Sequence, residues 1–177
     1  MIKYFQFLLL LFMCISCVQV SQQKSSNLAG NLTEVIAAYQ VFVETKSPFN
    51  KAEVGNNNAK LPDLSEKMLK KQHQVLLGIY KKLLKINNEN LSQEQQINWS
   101  VLTYSIKNQL DSYINKEHYM PLTAESGFHV WISNINKKIN FKTEQDFQDY
   151  LARLAAIPSY FTQQIYWMKQ GIKAKIT

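Results

Sequence analysis

The chain has 177 residues, a length that is enough for one domain with a sizeable core, and its formal net charge is +7. Its apolar content of 46% excludes a disordered polypeptide, and 5 Gly and 4 Pro against 12% aromatic residues favour an all-α fold of antiparallel helical hairpins over a turn-rich sandwich. The basic residues are scattered lysines, with Arg153 the only arginine, a pattern typical of a solvated surface rather than a nucleic-acid site. Weak attraction to anionic lipid or cell-wall polymer is the alternative.

Residues 1–16 look like a bacterial lipoprotein signal peptide. Lys3 supplies a basic start, the run from Tyr4 to Ile15 is apolar, and the small Ser16 precedes Cys17. The apolar run is shorter than the roughly 20 residues of a spanning helix. We expect cleavage before Cys17 and lipid attachment to its thiol. Val18 in place of Asp favours the outer membrane, facing the periplasm, under the general sorting rule for lipoproteins.

An uncleaved anchor helix and an ordinary secretory cleavage are the alternatives to lipidation. Cleavage before Cys17 would leave that residue as the single cysteine, so no intrachain disulfide is expected even in an oxidising compartment. The polar residues 17–30 are predicted to be a tether, and residues 31–177 a helical domain that is incomplete at its carboxyl end.

The first two predicted helices follow the tether. Asn31 is the expected cap of the first and Pro48 its stop, and residues 50–62 have the composition of a loop. Asp63 and Glu66 have the spacing of a capping box that opens the second helix. Helical spacing predicts buried faces at Val35, Ala38, Tyr39 and Phe42 in the first helix and at Leu69, Leu76, Ile79, Tyr80 and Leu83 in the second.

Ser92 and Gln95 have the pattern that opens a third helix, which extends to about Glu117. The link "NNEN" at 87–90 is short, so the second and third helices are predicted to form an antiparallel hairpin. The predicted buried face of the third helix comprises Ile97, Val101, Tyr104 and Leu110.

The segment 118–133 breaks the helical pattern and is rich in aromatic residues. Thr143 then caps a helical segment, and Pro158 is expected to join it to another, either as a new start or as a kink. The predicted apolar faces are Phe147, Tyr150, Leu151 and Leu154 before the proline, and Phe161, Ile165, Met168 and Ile172 after it.

Gly127, Phe128 and His129 in the aromatic loop are the candidate contacts to a substrate cleft, because binding residues lie more often on loops than on core helices. A loop histidine bonded to backbone and a glycine that serves a turn are the competing interpretations. His118 is expected to be a surface histidine near a helix end, and His73 to be solvated. No pair of histidines has metal-ligand spacing, no nucleophilic serine motif occurs, and the three tryptophans are expected in the core.

Four segments together resemble a bacterial lipoprotein family known as domain of unknown function 885. They are "LPDLS" at 61–65, "QQINWSVLTYSIKNQL" at 95–110, "MPLTAESGFH" at 120–129 and "DFQDYLARLAAIPSYFTQQIYWMKQGI" at 146–172. The resemblance implies a largely helical exported protein whose later half carries a zinc site of the His-Glu-x-x-His kind. It also implies a metallopeptidase, in which a zinc-bound water attacks a peptide bond.

This chain contains no His-Glu-x-x-His sequence, so no catalytic residue and no metal ligand are assigned in it. The resemblance implies that zinc and any peptide substrate depend on a part of the protein beyond this chain. The favoured hypothesis is therefore a non-catalytic amino-terminal helical portion of a metallopeptidase-like lipoprotein. A shortened envelope lipoprotein that binds a partner is the alternative, and a remnant without a stable product is a third.

Overall fold

The protein is described by a computed structural model that covers residues 31–46, 61–123, 125–133, 135 and 141–176. Five helices occur in these ranges: α1 (31–46), α2 (Glu66–Leu84), α3 (Gln93–Ile114), the short α4 (Phe128–Ile132) and α5 (Glu144–Ala174). Short 3-10 helices cover Asn88–Asn90 and Glu117–Tyr119. No strand occurs in the described ranges, where the one β-type contact is an isolated bridge. The all-α prediction is confirmed.

Helices α1, α2 and α3 surround the main hydrophobic core. The faces predicted for α1 and α2 are confirmed, since Val35, Phe42, Leu76 and Leu83 are buried. Non-polar side chains three or four positions apart share one helix face, which explains why this periodicity locates the core. The buried cluster comprises Leu32, Val35, Phe42, Leu76, Ile79, Leu83, Ile86, Leu91, Leu102, Ile106 and Leu110.

Helices α2 and α3 form the predicted antiparallel hairpin. The indole Nε1 of Trp99, near the start of α3, donates to the Leu83 carbonyl near the end of α2 at 3.1 Å. At the opposite end, the ring of Tyr113 stacks on that of His73, with centroids 4.3 Å apart. The contacts therefore run in opposite directions along the two helices.

The caps of the hairpin are set by serine side chains. Ser92 and Gln95 form the predicted capping box at the start of α3. At the start of α2 the prediction was wrong: Ser65 is the N-cap and accepts from the Met68 amide, while Asp63 accepts from the Ser65 amide. The two hydroxyls satisfy backbone N–H groups that the helices leave without an internal partner.

The buried face predicted for α3 was wrong for three of its four residues. Ile97, Val101 and Tyr104 are 58%, 63% and 70% exposed. The helix instead buries Leu102, Ile106 and Leu110 against α1 and α2. Both sets of residues have helical spacing, so periodicity alone did not distinguish the packed face from the exposed one.

Helix α5 is one continuous helix through Pro158, so the alternative of a new helix start at this proline was wrong. Thr143 is the N-cap, as predicted, and forms a capping box with Asp146. Its predicted faces were wrong at several positions, because Phe147, Leu151, Ile165 and Ile172 are exposed. The buried residues of α5 are Arg153, Tyr160, Gln164, Trp167 and Gly171.

The described helices do not include any that is long and apolar enough to cross a membrane. The proposed signal peptide, Cys17 and the tether lie outside the described residues, as do residues 50–60 of the loop predicted at 50–62.

Candidate functional site

The end of α3 brings His118 to the interior. Asn115 is the C-cap of α3, and Lys116 adopts a left-handed conformation with φ of 57°. A non-glycine residue adopts this conformation at a steric cost, and one such residue ends a helix and turns the chain. The turn leads into the 3-10 helix Glu117–Tyr119, which packs against α3 and α5. His118 is therefore half-buried, and the expectation of a surface histidine was wrong.

A cluster of aromatic and imidazole rings joins α2, α3 and α5 at this point. The Tyr113 ring stacks with the rings of both His73 and His118, at centroid distances of 4.3 and 5.5 Å. The edge-on contacts of His118 are with Tyr119 at 4.8 Å and Trp167 at 4.6 Å. Offset-stacked and edge-to-face pairs are favourable arrangements of such rings. We call these five residues the ring cluster.

Hydrogen bonds hold α5 to the segment before α2. The Trp167 indole donates to the Leu64 carbonyl at 2.7 Å, and the Leu64 amide donates to Gln163 Oε1 at 2.6 Å. Both main-chain groups of Leu64 are thus satisfied by side chains of α5. These bonds span about a hundred residues of sequence, so they fix the position of α5 beside the helical hairpin.

A cavity of about 250 Å³ opens beside the ring cluster. Its walls are mainly apolar, and polar groups from three helices reach it. The lining residues are Phe42 and Lys46 of α1; Leu64; Leu69, Gln72, His73 and Leu76 of α2; Gln109, Ser112 and Tyr113 of α3; and Glu117 and His118.

One polar atom of the His73 ring lacks a hydrogen bond. The Nδ1 atom of His73 is buried and has no partner within the part of the chain that the structure describes. The expectation that His73 is solvated was therefore wrong. Buried polar atoms in folded proteins nearly always have a partner in the protein, in ordered water or in a ligand.

The charged groups near the cavity differ in their surroundings. Burial, and secondarily the charge of Lys116, lowers the pKa of His118, so its neutral form is favoured at neutral pH. Lys46 is exposed as a residue, yet partial desolvation of its ammonium lowers its pKa. That ammonium donates to Gln109 Oε1 at 3.4 Å, and the Glu117 carboxylate accepts from the Ser112 hydroxyl.

The three residues predicted as cleft contacts do not line this cavity. Phe128 is buried and meets Phe161 edge to face at 4.9 Å. Gly127 forms a bridge with Leu122, and a Cβ at Gly127 would lie 2.5 Å from Leu122 Cδ2, so close approach explains the glycine. His129 is exposed.

Gly127 and Phe128 line an open groove of about 390 Å³, and His129 is not among its lining residues. The groove is formed by Pro121, Ser126, Gly127, Phe128, Val130, Tyr160 and Gln164. The loop and α5 thus bring two of the three predicted residues together at one surface. Their role as substrate contacts remains a prediction.

Sequence reasoning missed the ring cluster and a buried arginine. Arg153 is 1% exposed, and desolvation lowers its pKa while Asp149 and Tyr150 act in the opposite direction. The sequence signal that was available is its place in the chain, since the only arginine lies in the middle of a helix rich in aromatic residues. Trp167 is buried, as predicted, and Trp99 packs against the core.

The described residues do not suit the zinc that the resemblance implies. Nowhere in the described ranges do three His, Cys, Asp or Glu side chains converge to hold a metal ion. His73 and His118 instead contact the faces of the Tyr113 ring. No step of chemistry through zinc is therefore derived for this part of the chain.

Comparison with known proteins identifies the family. No curated protein matches the chain, and no solved structure matches it. The model of a family described as "Bacterial protein of unknown function (DUF885)" matches residues 48–177, a range that includes all four segments on which the resemblance rests. Because this range is well over half of the chain, the protein belongs to the DUF885 family.

Proposed function

We propose that this chain is the amino-terminal helical portion of an exported lipoprotein that resembles zinc-dependent metallopeptidases, and that it is not catalytic by itself. In this proposal a lipid on Cys17 anchors the protein to the outer membrane, on the periplasmic side. The helices form one wall of a cleft for a peptide substrate, and the zinc site lies in a further part of the protein.

The exposed apolar face of α3 is the observation that supports this proposal most directly. Ile97, Val101 and Tyr104 follow one another along the helix and are all exposed, although each is large and apolar. Leu151 and Ile172 of α5 are also large, apolar and exposed. Burying each such side chain is worth about 1.5–3 kcal/mol, so a covering structure would gain appreciable stability.

The groove beside Gly127 and Phe128 is the proposed contact surface for substrate. It is open and has both apolar and polar walls, including the side chain of Gln164, whose amide donates to the Tyr160 hydroxyl at 2.7 Å. His129, on the same short helix, is proposed to approach the substrate from the exposed side of α4.

The size of the native protein in the membrane fraction tests the proposal. An antibody against residues 60–115 would identify the product, and intact-mass measurement would give its size and any lipid on Cys17. A species several times larger than the 20.6 kDa of this sequence, carrying zinc, is the expected result. A lipidated species near 20.6 kDa would instead favour the alternative, a non-catalytic envelope lipoprotein that uses the α3 face to bind a partner. An unlipidated product would refute the assignment of Cys17.

A further inference from the structure

We propose that the exposed side of α2 is a docking surface for an anionic lipid membrane. Six exposed lysines of α2 and its C-cap form this surface, which we call the lysine stripe: Lys67, Lys70, Lys71, Lys81, Lys82 and Lys85. The surface requires neither zinc nor a lipid on Cys17. It therefore goes beyond the proposed function and stands or falls independently of it.

The lysines of the chain are scattered along the sequence, but the fold gathers these six on one side of a helix. At 3.6 residues per turn they lie within about 120° of the helix circumference, and they extend along about 27 Å of its length. The opposite side of α2 holds Leu76, Ile79 and Leu83, which are buried in the main core. Packing of that side leaves the lysine stripe in solvent.

Most of the net charge of the chain comes from this helix. Residues 66–85 contain six lysines and one acidic residue, Glu66, which gives them +5 of the total of +7. In the part of the chain that the structure describes, no ion pair involves the stripe, whereas Lys107 of α3 pairs with Asp111. An anionic membrane supplies the counter-charge, and each lysine close to such a surface strengthens binding about fivefold.

The arrangement of the stripe is unfavourable in the protein alone. Two pairs of its lysines are four residues apart and two pairs are three residues apart, spacings at which like charges repel on a helix. Lys67 also lies in the first turn of α2, where the helix dipole disfavours a positive charge. Contact with an anionic surface relieves both kinds of repulsion.

The middle of the stripe allows a flat surface to approach closely. Gly78 lies between the two groups of lysines, it is exposed, and a Cβ there would meet no atom within 4 Å. Glycine disfavours a helix relative to alanine, so packing among the described residues does not explain its presence. Val75 and Leu84 lie on either side of the stripe and are 45% and 51% exposed. Apolar side chains beside lysines suit the boundary below lipid headgroups better than they suit a fully polar polyanion.

Lysine acylation of the full chain, measured at each site by mass spectrometry, tests the proposal. The apolar amino-terminal segment is used to hold the chain on vesicles of phosphatidylcholine alone and on vesicles that also contain phosphatidylglycerol. We expect the stripe to react at least about fivefold more slowly on the anionic vesicles, relative to the exposed Lys107 and Lys173. This protection should disappear in about 1 M salt, where the Debye length is about 3 Å.

Two variants of equal net charge separate the stripe from the overall charge of the chain. The first carries four substitutions in the stripe: Lys70→Gln, Lys71→Gln, Lys81→Gln and Lys82→Gln. The second carries four at exposed positions elsewhere: Lys107→Gln, Lys142→Gln, Lys169→Gln and Lys173→Gln. Protection of Lys67 and Lys85 should be lost in the first variant and kept in the second.

Equal relative reactivity of the stripe on both kinds of vesicle overturns the proposal, and so does equal protection of Lys67 and Lys85 in both variants. Uniform slowing of every lysine also overturns it, because the lower pH at an anionic surface slows all of them alike. If dextran sulfate protects the stripe on phosphatidylcholine vesicles and phosphatidylglycerol does not, the partner is a soluble polyanion and the proposal is wrong.

Discussion

Replacement of Trp167 by Phe should weaken the attachment of α5 to the helical hairpin. The substitution removes the 2.7 Å hydrogen bond to the Leu64 carbonyl, worth about 1 kcal/mol. It also removes part of a buried ring, worth about 1 kcal/mol more on the scale of about 0.8 kcal/mol per buried methylene. The free energy of opening α5 should therefore fall by about 2 kcal/mol.

Native-state hydrogen exchange, followed by mass spectrometry of peptides, measures this change by region. Peptides from α5 should exchange faster in Trp167→Phe, while those from α2 and α3 should keep their protection, because the main core contains no residue of α5. Trp99→Phe is the matched control, since it removes a 3.1 Å bond to Leu83 within the hairpin and should affect α2 and α3 instead. Equal loss of protection in all helices would refute the reasoning. A fall of less than about 0.5 kcal/mol in the free energy of opening α5 would also refute it.

Three further predictions concern the face of α3, its cap and the ring cluster. In urea titrations, Leu102→Ala should lower the free energy of unfolding by about 3 kcal/mol and Val101→Ala by less than about 0.5 kcal/mol, because only Leu102 is buried. The reverse order would contradict the burial of the Leu102 face of α3. Ser92→Ala should cost about 1 kcal/mol, since its hydroxyl accepts from the Gln95 amide; an unchanged urea midpoint would contradict the cap. The lowered pKa of His118 means that the unfolded chain binds more protons, so stability should fall as the pH drops below 6.5. Urea titrations between pH 7.5 and 5 should show this loss reduced in His118→Gln, and an equal loss in both proteins would exclude His118 as its source.

Local signals in the sequence were sufficient for several elements of the fold. Ser92 with Gln95 located the start of α3, and Thr143 located the start of α5, because capping depends on residues within one turn. The link at 87–90 predicted the antiparallel hairpin, because so few residues can join only helix ends that lie side by side. The predicted cap of α2, Asp63, was wrong by two positions, because the Ser65 hydroxyl accepts the hydrogen bond from the first turn instead.

The candidate site was less predictable, because its parts are far apart in the sequence. Nothing near His73 indicates that Tyr113 will stack on it, and nothing near His118 indicates contact with Trp167. The left-handed Lys116 also carries no sequence signal, since glycine is the usual residue at such a turn. Gly127, Phe128 and His129 were predicted as substrate contacts from their position in an aromatic loop; the first two line an open groove, and the contact to substrate stays a prediction.

The sequence by itself determined the all-α class, the hairpin and the starts of α3 and α5, since propensity, periodicity and capping act over a few residues. The tertiary structure decided which face of each helix is buried. In α3 the stripe with Ile97 and Val101 and the stripe with Leu102 and Ile106 are both apolar, and packing against α1 and α2 selects the second. The free energy of burial depends on which surfaces meet, and that choice is made by contacts across the whole chain.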